Sequence, residues 1–159
     1  MRAPNASNDQ PWTFTAVREQ ALLDRISRGA KSHILGTMPA EPKYDHYGAV
    51  LSDPNFQIFY RAPVMIVISG IAQVPFKVED CALAAEHLML AAHAVGLGTG
   101  WIGFSQTFFN TPDGKSALGI PATWAPFAPI IVGHPQAVRE PALPGVPTGR
   151  KELEIRWLG

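Results

Sequence analysis

VEDCALAAEHLMLAAHAVGLGTGWIG, residues 78–103, is the stretch on which the fold turns. Glu79 and Asp80 suit a helix amino terminus, where unpaired N–H groups favour negative charge, and Gly96 supplies a stop. Between them alanines and leucines occupy nearly every face. The pattern predicts a helix over residues 78–95 that is buried all round, in a core or at a subunit interface, so another surface must cover it. Gly98, Gly100 and Gly103 then satisfy GxGxxG. A dinucleotide phosphate loop of that spacing needs a strand before the glycines and a helix after them, so that the helix amino terminus faces the pyrophosphate. Here a helix comes first and Trp, Ile and Phe follow, so the fingerprint fails its context test. Two readings stay open: a helix stop followed by a tight turn, or a loop that lays bare backbone against a flat ligand. Trp101 to Phe104 reads as a short strand.

Downstream, Thr111 to Leu118 reads as a helix with Thr111 as its cap and Pro112 in the first turn. Ala128 to Val132 is expected as a buried strand ended by Gly133 and Pro135. Pro141, Pro144 and Pro147 then predict an extended tail finishing in Glu154 to Leu158, which must lie on some surface. Upstream, Pro63 to Ser69 is a continuous apolar, β-branched run, the signature of a fully buried central strand. From Gly36 to Phe56 four residues, Pro39, Pro42, Gly48 and Pro54, break any pattern. That is long for an unstructured connection, and such loops often serve as lids. Thr13 to Arg18 alternates polar and apolar residues and predicts a strand leading into a helix over Gln20 to Lys31, with Leu22, Leu23 and Ile26 inward.

The 159 residues fit a single domain over 1–159, since domains of roughly 100–150 residues are common. Hydrophobic residues make up 47% and charged ones 16%, which leaves few charges to cover the outside and leans towards an oligomer. A net charge of zero offers no field to gather phosphates, so nucleic acid and anionic membranes are not expected partners. The single cysteine, Cys81, cannot form an internal disulfide, in keeping with a reducing, cytoplasmic setting. Met1 to Trp12 lacks the apolar run of a signal peptide, and Leu83 to Val95 is shorter than the about 20 residues of a membrane span.

Few side chains suggest direct chemistry. His87 and His93 are six apart, on different helical faces, whereas paired helical metal ligands sit about three or four apart, so no metal is expected. Glu86 beside His87 diverges from it around the helix and fits a solvated or interface role. Cys81 at a helix start could be activated, but an alanine-rich buried helix makes it a core residue. Ser7, Ser69 and Ser105 lack the GxSxG setting of a hydrolase nucleophile. At the amino end APNASNDQPW, residues 3–12, packs Asn5, Asn8 and Gln10 between two prolines. Amides both donate and accept, which suits the mixed edge of a flavin ring, but from the segment alone an ordinary capped turn is the favoured reading.

The pieces gain meaning in order: APNASNDQPWTF, FYRAPVMIVI, VEDCALAAEHLMLAAHAVGLGTGWIG and LGIPATWAPFAPIIVGHP, closing on Arg150-Lys151. The series resembles the nitroreductase family over nearly the whole chain. Its first motif is similar to the family's APSxxNxQPW, and its third to the core helix and GLGTxWIG turn. That resemblance implies an α+β sandwich, a mostly antiparallel central sheet flanked by helices, in an intertwined homodimer with two flavin mononucleotides (FMN) between the subunits. Carried over by position, Pro4, Asn5, Ala6 and Asn8 would touch the flavin from the partner subunit, with Asn5 in place of the usual serine. Trp101, Ile102 and Gly103 would run along the ring, and Arg150 with Lys151 would pair with the phosphate. Phe108, Phe109 and the loop from Tyr44 to Tyr47 would shape the substrate side.

The resemblance implies an FMN-dependent oxidoreductase that passes hydride from NADH or NADPH through the flavin to a small nitroaromatic, quinone or enone in two separate half-reactions. No side-chain acid or base is assigned, because the flavin carries the chemistry. The family's initial helix and its Arg-x-Ser-x-Arg motif have no counterpart before Met1, and the expectation is a start displaced relative to the family. The alternative is a degenerate, non-catalytic flavin-fold dimer that binds a small molecule or a protein.

Overall fold

A computed structural model describes residues 2–39, 41, 45–71, 73–135, 152 and 154–158. The proline-rich segment from Pro141 to Pro147, and with it Arg150 and Lys151, lies outside those residues, as does Tyr44. Four strands form one antiparallel sheet in the order β1-β2-β4-β3: β1 (Trp12–Val17), β2 (Val64–Gly70), β3 (Gly98–Trp101) and β4 (Ala125–Gly133). The five α-helices among the described residues are α1 (Gln20–Thr37), α2 (Asp45–Ser52), α3 (Lys77–Ala94), α4 (Gln106–Phe109) and α5 (Pro112–Leu118).

Alternation along the strands sorts the core into two layers. Val17, Met65 and Val67 point to one face, where Leu23, Ile26 and Ala30 of α1 meet Leu51, Phe108, Phe109 and Leu118. Ile68, Ala128 and Ile130 point to the other, against Cys81, Ala84 and Ala85 of α3. α3 stops as its sequence demands. Gly96 takes φ 78°, its N–H donates to His93 O at 3.0 Å, and the Leu97 N–H donates to Ala92 O at 2.9 Å. This paired closure satisfies two of the last carbonyls and turns the chain directly into β3.

Within one chain α3 is buried on one side only, which rules against the all-round burial in a core and leaves the subunit-interface alternative. Asp80, Cys81, Ala84, Ala85 and Ala92 face inward, while Val78, Leu83 and Leu90 are 52%, 42% and 57% exposed. The sheet can cover only one helical face.

Several boundaries also shift, each for a local reason. α1 continues six residues beyond Lys31 because Ile34 extends its packed stripe; it ends where Pro39 forces Met38 into an extended conformation. The expected lid is interrupted by α2, which buries Leu51 completely. Eight residues are too few for the pattern to announce a helix in advance. β3 begins at Gly98 rather than Trp101, and Gly103–Ser105 forms a 3-10 turn in place of the end of the expected strand.

β4 reaches Ala125, past two prolines that a central strand ordinarily excludes. Pro126 sits at the register shift between Ile68 and Ser69, where the ladder is already interrupted. Pro129 faces the end of β3. Its carbonyl accepts the Ile102 N–H at 2.8 Å, but it has no N–H to return. The Ile102 carbonyl is taken instead by the Ser105 N–H at 3.2 Å and the Ser105 hydroxyl at 3.0 Å. Pro129 therefore ends the β3 pairing and lets the chain fold into the turn.

Candidate functional site

The amide-rich turn before β1 is built from its own side chains. Asn5 Oδ1 accepts the Gln10 N–H at 3.0 Å, Asn5 Nδ2 donates to Ala3 O at 3.3 Å, and Gln10 Nε2 donates to Asn8 Oδ1 at 3.1 Å. Closing so tight a loop places Ser7, Asn8 and Gln10 at φ 52°, 60° and 46°, in the left-handed region. Non-glycine residues there cost about 1–3 kcal/mol each and persist only when their surroundings hold them. Ala3 is buried against the small side chains of α3, and the Ala6 N–H donates to Asp80 Oδ1 at 2.9 Å. Asn5 thus turns both ends of its amide into the loop. The exposed residues of the turn are Pro4, Ser7, Asn8, Asp9 and Gln10, and a shallow hollow of about 330 Å³ lies beside Arg2, Asn8, Gln10 and Trp12.

At the opposite edge of the sheet β3 carries the glycine motif. Because Ile102 donates towards β4, alternation along an antiparallel edge strand turns the N–H groups of Thr99 and Trp101 to the open side. Trp101 is 38% exposed, with its ring set edge-on to Phe127 at 5.5 Å. The Ile102 side chain belongs to the core and both of its backbone polar groups are engaged, so it offers a ligand little. Gly103 is exposed, with nothing within 4 Å of the position a Cβ would take.

The aromatic residues fall differently from expectation. Phe108 and Phe109 are 9% and 0% exposed, and Phe108 packs so closely on α1 that a Cβ on Gly29 would lie 2.8 Å from its ring. They are core residues, because the short α4 faces α1 and not an open cleft. Tyr47 of α2 comes to the motif in their place. Its ring meets Phe104 at 5.7 Å in a T-shaped contact, and His46 lies against Tyr47 at 3.7 Å. The segment read as a lid thus does reach the turn that follows Gly103.

Two features had no distinct sequence signal. Tyr60 and Arg61 both take positive φ, 52° and 57°, ahead of β2, and Arg61 pairs with Asp24 at 3.2 Å. Hydrogen bonds from Gln57 and Gln20, with the nearby Arg61, hold the Asp24 carboxyl below its ordinary range. A cleft of about 620 Å³ opens between this turn and the strand ends at Thr99 and His134. The second is Asp80, legible only as a helix-start acid, which instead ties the amide turn to α3. Its neighbour Cys81 is buried, and burial together with the Asp80 charge pushes the thiol up to about 11, so it stays protonated at neutral pH. Among the described residues no group of histidine, cysteine and carboxylate side chains is placed to hold a metal, and no helix is long and apolar enough to cross a membrane.

Residues 1–134 match the model of the nitroreductase family. The chain belongs to that family. Among curated relatives it is 30% identical over 139 residues to the "Putative NADH dehydrogenase/NAD(P)H nitroreductase" of Methanothermobacter thermautotrophicus, covering 85% of this chain and 61% of that protein. A protein of the same name from Archaeoglobus fulgidus is 28% identical over 138 residues, covering 86% and 68%. The chain thus spans about three fifths of the length of the first of these relatives. Among solved structures, the nitroreductase with bound FMN from Bacteroides fragilis superposes with a TM-score of 0.71 at 21% identity, covering 94% of this chain and 81% of that one. That likeness shows the nitroreductase fold, an α+β sheet with helices on both faces.

Proposed function

We propose that the chain is an FMN-dependent oxidoreductase that works as a homodimer, with each flavin site drawn from two copies. The observation that carries this reading is the placement of the two motifs. The amide turn leads into edge strand β1 and the glycine motif lies on edge strand β3, three inter-strand steps away, or about 14 Å. A single ring contacting both motifs of one chain would have to lie across the whole sheet. Across a two-fold axis, the turn of one copy can meet the β3 motif of the other.

The donor chemistry fits such a ring. The amides of Asn8 and Gln10 can pair with a mixed donor and acceptor edge, and the outward N–H groups of Thr99 and Trp101, beside open Gly103, let backbone approach a flat face. Those N–H groups would stabilise negative charge developing on a reduced ring. When bound, the flavin would carry hydride from NADH or NADPH to a small acceptor of the nitroaromatic, quinone or enone type in two half-reactions. Phe104, Tyr47 and His46 would bound the acceptor's side, and Arg150 with Lys151 would hold the phosphate.

The exposed outer face of α3, with Leu83, Leu90 and Val95, supplies apolar surface for the second copy. Ile155, Trp157 and Leu158 are 63%, 87% and 90% exposed, and would lie on that copy as a strap.

The test is purified protein with excess FMN. Bound-flavin absorbance, oxidation of a reduced nicotinamide and a sedimentation coefficient of two chains are expected together. The absence of both bound flavin and nicotinamide oxidation would sink the enzyme reading, and a monomer at all concentrations would remove the two-chain site.

A further inference from the structure

Asp80 is the one buried carboxylate among the described residues, 2% exposed, on a helix whose inward face is otherwise small and apolar. Burying a carboxylate is costly unless hydrogen bonds and nearby positive potential offset it. Asp80 has both in part. It sits in the first turn of α3, where the helix end favours negative charge, and Oδ1 accepts the Ala6 N–H across 74 residues of sequence. Oδ2 finds no donor among the described residues, so the carboxylate is kept at a net cost to the single chain. A residue retained at such a position needs a role beyond packing.

Its one side-chain hydrogen bond among the described residues is with the amide turn. The other side-chain hydrogen bonds of residues 3–10 run from one part of the turn to another. They close the loop from within; its two ends are fixed by buried Ala3 and Pro11, and Asp80 supplies the side-chain bond that ties its middle to α3. Three left-handed residues, Ser7, Asn8 and Gln10, follow the Ala6 anchor, and without it the turn can relax to ordinary backbone angles and swing its exposed amides away.

We propose that Asp80 is a positioning residue for cofactor binding: through the Ala6 N–H it holds the turn of residues 4–10 in the one orientation that presents Asn8 and Gln10 to the flavin of the opposite subunit. This role rests on the flavin reading above. Asp80 itself touches no cofactor.

The experiment compares Asp80→Ala and Asp80→Asn with the core variant Leu118→Ala. Two quantities are read: hydrogen exchange at the Ala6 amide in flavin-free protein, and FMN affinity. Asp80→Ala removes the acceptor and should speed Ala6 exchange and weaken FMN binding by about tenfold or more each. Asp80→Asn keeps an acceptor oxygen and should hold both within roughly threefold of the wild type. Leu118→Ala should lower the melting temperature while leaving both unchanged.

If Asp80→Ala does not fold, Asp80→Leu fills the space without an acceptor and is read in the same way. The proposal is overturned if removing the acceptor moves neither quantity, or if Leu118→Ala moves both as far. A wild-type chain that takes up no FMN overturns the flavin reading and the cofactor role with it, while Ala6 exchange still decides whether Asp80 anchors the turn.

Discussion

On one face of the sheet Leu23, Ile26, Phe59, Phe108 and Phe109 fill the space beneath α1, and Phe59, Phe109 and Leu23 are wholly out of solvent. On the other, α3 lies on Ile68, Ala128 and Ile130 through Cys81, Ala84 and Ala85. The first layer is thick and closed by branched and aromatic side chains within one chain. The second is thin, because small residues let a helix approach the strands, and its helix carries leucines on the far side. Leu88 and Met89 pack partly against that layer while Val78, Leu83 and Leu90 stand exposed, so large apolar residues lie on both sides of the helix. The outer face of α3 is therefore more apolar than a solvent-facing helix requires.

That contrast can be broken from either side. Phe109→Ala should open a cavity in the thick layer and cost about 3–5 kcal/mol in urea unfolding. A loss below 1 kcal/mol would mean that layer is not closed as described. Ala84→Leu should overpack the thin layer and cost about 1–3 kcal/mol, although it adds apolar surface. An increase in stability there would show that α3 has slack against the sheet. Leu90→Glu, on the far face, should change single-chain stability by no more than about 0.5 kcal/mol while shifting sedimentation towards the monomer. Unchanged association would assign that face to something other than a second copy.

Legibility in the sequence followed the range of the interaction. α5 was readable to the residue, because Thr111 caps it by accepting the Gly114 N–H at 3.1 Å, Pro112 opens it, and Gly119 closes it at φ 65°. Each of those signals acts within one turn. β2 was readable because a strand buried on both faces is apolar at nearly every position. β3 was misplaced by three residues, since three glycines in six positions look like a turn until a partner strand is present to pair them. The end of that strand depends on Pro129, which stands 28 positions beyond Trp101. Phe108 and Phe109 looked like free aromatic residues because nothing nearby in sequence reveals that Gly29 leaves them a slot on α1.

The sequence by itself determined the start of α1, the stop of α3, both ends of α5, the central strand and, through four ordered motifs, membership of the nitroreductase family. These rest on backbone preferences and hydrogen bonds that close within a few residues, or on patterns preserved along the chain. Only the tertiary structure decided which face of α3 is covered, that the amide turn and the glycine motif lie on opposite edges of the sheet, and that Asp80 accepts the Ala6 N–H. Those facts depend on contacts between segments far apart in the chain, and they come into being only when the sheet is assembled.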